Sequence, residues 1–123
     1  MMNANADELL SSPKVEPICA CVFGSSSNKT SQAFLNASFE MGKLLAQRGH
    51  GIVTGGGAFG CMQGVQSGCR QNGGTVRGVV HQQFIDGGSA DLDNVGDMII
   101  AKGDDLEERK RLLMDNAHCL LVC

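Results

Sequence analysis

The stretch Gly-Ile-Val-Thr-Gly-Gly-Gly-Ala-Phe-Gly at residues 51–60 sets the fold class. Ile52 and Val53 make a short apolar run that enters three consecutive glycines, and Gly60 opens a segment with helical character. Glycine turns sharply without a Cβ clash and lets a ligand approach the backbone. A helix that starts there aims its free N–H groups and the positive end of its dipole at whatever sits over the loop. Such a place suits a phosphate, so the chain is expected to handle a nucleotide or a sugar phosphate.

Working outward, residues 50–54 read as a strand and residues 60–71 as a helix, ended by Asn72-Gly73-Gly74. Upstream, residues 18–23 form an apolar run of strand length, the kind buried on both faces of a parallel sheet. A polar turn, Gly24-Ser25-Ser26-Ser27-Asn28, follows it. Thr30 or Ser31 then caps a helix reaching about Arg48, with Phe34, Ala37, Met41, Leu44 and Leu45 on one apolar stripe. Gly49 stands where a helix C′ glycine belongs. Downstream, residues 76–80 read as a third strand and residues 81–94 as a loop without period. A fourth strand lies near Met98-Ile99-Ile100, and Asp105-x-x-Glu108 opens a helix to about Ala117 like a capping box. Residues 119–123 are a fifth apolar strand. This alternation predicts an α/β, Rossmann-like three-layer sandwich with a parallel sheet of about five strands. Residues 1–17 read as a flexible leader and residues 18–123 as the domain. A buried strand that stops at Cys123 is expected to mean a chain truncated at its C-terminus, a fragment or one piece of a nicked polypeptide.

Ligands of such sheets bind beyond the carboxyl ends of the strands. The turn at residues 24–27 and the loop at residues 55–60 both fall at that edge. The loop also satisfies the G-x-G-x-x-G spacing of dinucleotide sites. Against that reading, it follows the second strand rather than the first. The acidic residue expected at the end of the next strand is also replaced by Val80-His81. A turn needed only for close helix–sheet packing is the third alternative.

The chain has 123 residues, enough for one domain, and a formal charge of −3, which leaves no basic face for nucleic acid and no polybasic membrane signal. No run approaches the ~20 apolar residues of a membrane span. The start lacks the pattern of a secretory signal, so cytoplasm is the expected compartment. Cys19, Cys21, Cys61, Cys69, Cys119 and Cys123 form no C-x-x-C and no zinc spacing; they read as small buried residues in a reducing compartment.

On the last helix, Leu106, Leu113 and Ala117 define a buried stripe. Glu107, Glu108, Arg111 and Asp115 lie on the far side, where i,i+4 pairs mark a solvated face. Arg109 and Lys110 border the stripe, one on each side. Each either snorkels to water or reaches into a cleft, where an arginine would grip phosphate in two-pronged fashion.

The segments Val-Phe-Gly-Ser-Ser-Ser (22–27), Leu-Ala-Gln-Arg-Gly-His-Gly-Ile-Val-Thr-Gly-Gly-Gly-Ala-Phe-Gly-Cys-Met (45–62), Gly-Val-Val (78–80) and Glu-Arg-Lys-Arg-Leu-Leu (108–113) resemble the Lonely Guy family. Its members are cytokinin riboside 5′-monophosphate phosphoribohydrolases, often labelled lysine decarboxylases. The resemblance implies cleavage of the N-glycosidic bond of an AMP-like nucleoside monophosphate, releasing an adenine, N6-substituted or not, and ribose 5-phosphate. It implies Gly24, Ser25 and Ser26 near the nucleotide. It implies Gly55, Gly56, Gly57, Gly60 and Met62 as the nucleotide loop, Arg109 as the essential arginine and Lys110 as its basic neighbour. No cofactor and no metal are called for. Family analogues dimerise through helices, so a homodimer or higher homo-oligomer is expected. The family's Pro-Gly-Gly-x-Gly-Thr-x-x-Glu motif, which carries the catalytic glutamate, would begin after Cys123. Two further departures, Leu106-Glu107 for Met-His and His81 for a proline, bear on the substrate. Asp104 and Asp105 read as helix caps rather than as the missing acid. A non-catalytic nucleotide or molybdenum-cofactor carrier and an NAD(P) enzyme are the competing readings.

Overall fold

The computed structural model describes residues 16–101 and 107–123. Most of the leader, the Asp104–Asp105 cap and Leu106 therefore lie outside the described residues. Along the chain run β1 (Cys19–Phe23), α1 (Gln32–Gln47), β2 (Gly51–Thr54), α2 (Gly60–Gln71), β3 (Val76–His81), α3 (Gln82–Asp86), β4 (Asp97–Ala101), α4 (Glu107–Asp115) and β5 (Cys119–Val122). The strands form one sheet in the order β4-β3-β2-β1-β5, and every pairing is parallel. All carboxyl ends thus lie along one edge, and the turns after β1, β2 and β3 gather there.

Alternation along the strands splits the core into two layers. Val22, Ile52 and Val76 face α1 and α2, meeting Val65, Cys69, Met41 and Leu45. Cys21, Val53 and Val79 face α4, meeting Leu113 and Leu112. Both helices of the first layer end in the same way. Gly49 and Gly73 take a positive φ of 81°. After α1, Gly49 N donates to Ala46 O and His50 N to Leu45 O; after α2, Gly73 N donates to Arg70 O and Gly74 N to Cys69 O. This is the Schellman pattern, and it returns the chain to the sheet after each helix.

Three expectations change. First, α1 does not bury the whole apolar stripe read from its period. Met41 and Leu45 pack inward, but Phe34 is 64% and Leu44 47% exposed, while Ser38 and Gly42 are buried. The reason is the closeness of α2. A Cβ on Gly42 would strike the carbonyl of Val65, and one on Gly68 the carbonyl of Phe39. Backbone touches backbone here, so the contact selects small residues rather than large apolar ones. Second, residues 81–94 are not wholly irregular. His81 caps α3, its Nδ1 accepting from Gln83 N at 3.2 Å. Third, the cysteines are free thiols, but Cys119 and Cys123 are exposed and Cys19 is only half-buried. β5 is an edge strand, and among the described residues little packs over it.

Candidate functional site at the carboxyl edge of the sheet

β2 ends in Thr54, and the chain then passes through Gly55, Gly56 and Gly57 before α2 begins. Gly56 has a φ of 72° and Gly60 one of 67°, both in the left-handed region that favours glycine. Space demands glycine as well. A Cβ on Gly56 would meet the Val80 side chain, and one on Gly55 would meet the Arg109 guanidinium. The loop is thus pressed against both β3 and α4.

Arg109 rises from α4 into this edge rather than snorkelling to water. Its Nη2 donates to Gly55 O at 2.7 Å and its Nε to Val79 O at 3.0 Å. Its Cζ lies 5.3 Å from the centroid of Phe84, a cation–π distance. Burial pulls its pKa below the ordinary arginine value, yet a guanidinium keeps its proton at any physiological pH. No carboxylate pairs with it among the described residues. A partly desolvated cation without a counter-charge is costly, and an anion would offset that cost. Two of its five N–H donors are spent on carbonyls, so Nη1 remains to grip one.

Around this cation lies an open pocket of about 190 Å3. Ser26, the three glycines, Phe59, Met62, Val80, Phe84 and Ser89 contribute to its lining. That volume is below the ~300–1,000 Å3 of sites that enclose a whole drug-sized ligand, so its size suits one end of a molecule rather than the whole. Three loop amides are already engaged: Gly56 N with Thr54 Oγ1 at 2.9 Å, Gly57 N with Met62 Sδ at 2.9 Å and Ala58 N with Ser89 O at 3.0 Å. The thioether is a weak acceptor, so the Gly57 amide is the one most readily surrendered to a ligand. The amides of Phe59, Gly60 and Cys61, in the first turn of α2, have no partner among the described residues. The free N–H groups belong to the helix start rather than to the glycines themselves.

With this geometry established, comparison with known proteins gives the lineage. The model of the SLOG cluster4 family matches residues 17–123. The chain belongs to that family. It is a Lonely Guy type family, as the sequence resemblance implies. No curated protein matches the chain. Among solved structures, the molybdenum cofactor carrier protein of Chlamydomonas reinhardtii superposes with a TM-score of 0.70 at 25% identity, over 87% of this chain and 62% of its own. The structural genomics target TM1055 gives 0.70 at 28%, over 85% and 59%. The molybdenum cofactor binding protein of Rippkaea orientalis gives 0.71 at 19%, over 89% and 63%, a likeness of fold alone. The chain spans about three fifths of the length of these structures.

Within this SLOG cluster4 chain, the residues singled out by sequence fall into three groups. Ser26, Gly55, Gly56, Gly57, Met62 and Arg109 surround one pocket. Gly24, Ser25 and Gly60 stand behind it. Ser25 Oγ pairs with Thr30 Oγ1 at 2.7 Å, and its carbonyl accepts from Met62 N at 2.9 Å. A Cβ on Gly24 would lie 3.1 Å from Cys61 Cβ, and one on Gly60 3.0 Å from Ser27 N. These residues let the turn after β1 and the start of α2 close on each other. Lys110, by contrast, is exposed and does not line the pocket. Sequence reasoning missed Phe84, Val80 and Ser89. The signal for Phe84 was faint: it is the lone aromatic of a segment rich in glycine and aspartate, three residues beyond a histidine cap.

Proposed function

We propose that this SLOG cluster4 chain holds the phosphate end of an AMP-like nucleoside 5′-monophosphate and serves a phosphoribohydrolase of the cytokinin-activating type. The observation that carries this reading is Arg109, a partly buried guanidinium pinned to Gly55 O and Val79 O with no carboxylate paired to it among the described residues. Phe59, the residue that precedes α2 and whose amide has no partner among the described residues, lines the same pocket and supplies a further donor in this reading. The reaction would break the N-glycosidic bond by water, giving free adenine, N6-substituted or not, and ribose 5-phosphate. Its oxocarbenium-like transition state requires a carboxylate near the sugar. None lines the pocket among the described residues. In this proposal Arg109 binds and orients the nucleotide and the carboxylate comes from elsewhere in the whole protein.

That missing carboxylate, together with the solved carriers and binders of molybdenum cofactor, favours a second reading: a non-catalytic carrier of a phosphate-bearing cofactor. Incubating the protein with AMP and with N6-isopentenyl-AMP, and assaying free base, decides between them. Base release supports the hydrolase. Saturable binding without release supports the carrier, and neither outcome would remove both. An NAD(P) enzyme is disfavoured by the small pocket and by His81 at the end of β3.

We also propose self-association. The outer side of α1 carries a shallow apolar groove bordered by Met41, Leu44, Glu40 and Arg48, with Phe34 exposed nearby. Sedimentation velocity should show a species heavier than one chain, and Leu44→Glu should lower its mass to that of a monomer. A wild-type monomer at high concentration would refute this.

A further inference from the structure

Gln66 is a polar residue where packing alone would ask for an apolar one. It sits on α2, is 0% exposed and points its amide toward the loop between β2 and α2. Its Nε2 donates to Gly57 O at 3.0 Å and to Asp91 Oδ2 at 2.8 Å. Its Oε1 accepts from Thr54 Oγ1, which itself accepts from Gly56 N at 2.9 Å. Asp91 completes the ring. Its N–H donates to Gly56 O at 2.8 Å, and its carboxylate accepts from Asn94 Nδ2 at 2.9 Å and Asn94 N at 3.3 Å. Both donors of the amide are used, and no buried side-chain polar atom is left unpaired among the described residues.

The direction of these bonds is informative. One amide reaches the last residue of β2, the loop and the segment that follows α3. Gly56 is fixed at its N–H through Thr54 and at its C=O through Asp91, and Gly57 at its C=O directly. These are two of the glycines that line the Arg109 pocket. A leucine or methionine would fill the same volume between helix and sheet, but it would take away the donor to Gly57 C=O and the partner that ties Thr54 and Asp91, the two anchors of Gly56, to each other. Buried networks of this kind fix a single arrangement when every member is satisfied.

We infer that Gln66, with Thr54 and Asp91, is a positioning residue that sets the peptide planes of Gly56 and Gly57 for the anionic end of the ligand. This rests on the nucleotide-binding reading above, and the test separates the two. Gln66→Met keeps length and apolar volume. Thr54→Val is isosteric and removes only the hydroxyl. In each variant, hydrogen exchange of the backbone amides is followed by NMR and AMP affinity by calorimetry. Exchange at Gly56 should rise about tenfold or more, while Val53 and Val79 in the central strands stay protected, and AMP should bind about tenfold more weakly. A role in packing alone would instead loosen the central strands in step with the loop. If Gln66→Met does not fold, Thr54→Val gives the same readout. Wild-type exchange at Gly56 and wild-type AMP affinity in a folded variant would overturn this inference and leave nucleotide binding intact. A wild-type chain that binds no AMP would overturn the nucleotide reading and this one with it.

Discussion

Arg109 does two things at once, and they cannot be separated by charge alone. Its Nε and Nη2 tie α4 to β3 and to the loop after β2, while Nη1 makes no hydrogen bond among the described residues. Lysine has one nitrogen at the tip and cannot reproduce that fork. Arg109→Ala and Arg109→Lys should therefore both weaken AMP binding, by about 10- to 100-fold, the worth of one or two charge-assisted hydrogen bonds. Titration calorimetry at fixed salt checks this, and a lysine variant with wild-type affinity would contradict the fork. Gly55→Ala is a sharper probe of the same arrangement. Its added Cβ runs into the guanidinium and comes 3.3 Å from the tip of the flexible Met62 side chain, so Arg109 must swing away. AMP affinity should fall about as far as in Arg109→Ala, whereas the urea midpoint should move little. From sequence the orientation of Arg109 was open, because a helical wheel gives the side of a helix but not what stands beside it. The glycines that receive it were legible, since three in a row after an apolar strand have few other uses.

At the level of elements, α1 and α2 form the tightest pair in the molecule. In an exposed helix, Gly→Ala would add about 1 kcal/mol of stability. At Gly42 the new methyl runs into the Val65 carbonyl and comes 2.9 Å from the Cys69 amide, and overpacking costs about 1–3 kcal/mol. The second effect wins. Gly42→Ala should be destabilised by about 1–2 kcal/mol net, and chemical denaturation would show it; a gain in stability would mean the helices can separate freely. The extent of α1 and its glycine stop were readable from period and punctuation. Its buried face was not, because Ser38 and Gly42 carry no hydrophobic signal. α3 was unreadable for a related reason: a helix of five residues has too little period to register.

Over the whole molecule the alternation of short apolar runs with helices was sufficient to find all five strands and their parallel sheet, but it did not give their order, β4-β3-β2-β1-β5. Burial of thiols in the layers between sheet and helices also has a cost in alkaline solution. Burial pushes the Cys69 thiol from the ordinary 9.0 up to about 11, and it raises Cys19 and Cys21 as well. For a group whose pKa is higher when folded, the stabilising contribution is complete below the unfolded value and is lost as pH climbs through the folded one. The thermal midpoint should hold below about pH 9 and fall between about pH 9 and pH 11. Cys69→Ala should flatten part of that fall while lowering stability at neutral pH through the cavity it leaves. A midpoint that is flat across this range would show the thiols to be hydrated.

The glycine-thin seam between α1 and α2 has a mechanical meaning. Side chains can yield by changing rotamer, but peptide units in direct contact cannot. A body that leans on the solvent side of α1 therefore displaces α2 as a stiff rod, and the first turn of that rod carries the open amides of Phe59, Gly60 and Cys61. Whatever presses on the outer flank of α1 is passed on to the start of α2, next to the Arg109 pocket, with almost no slack.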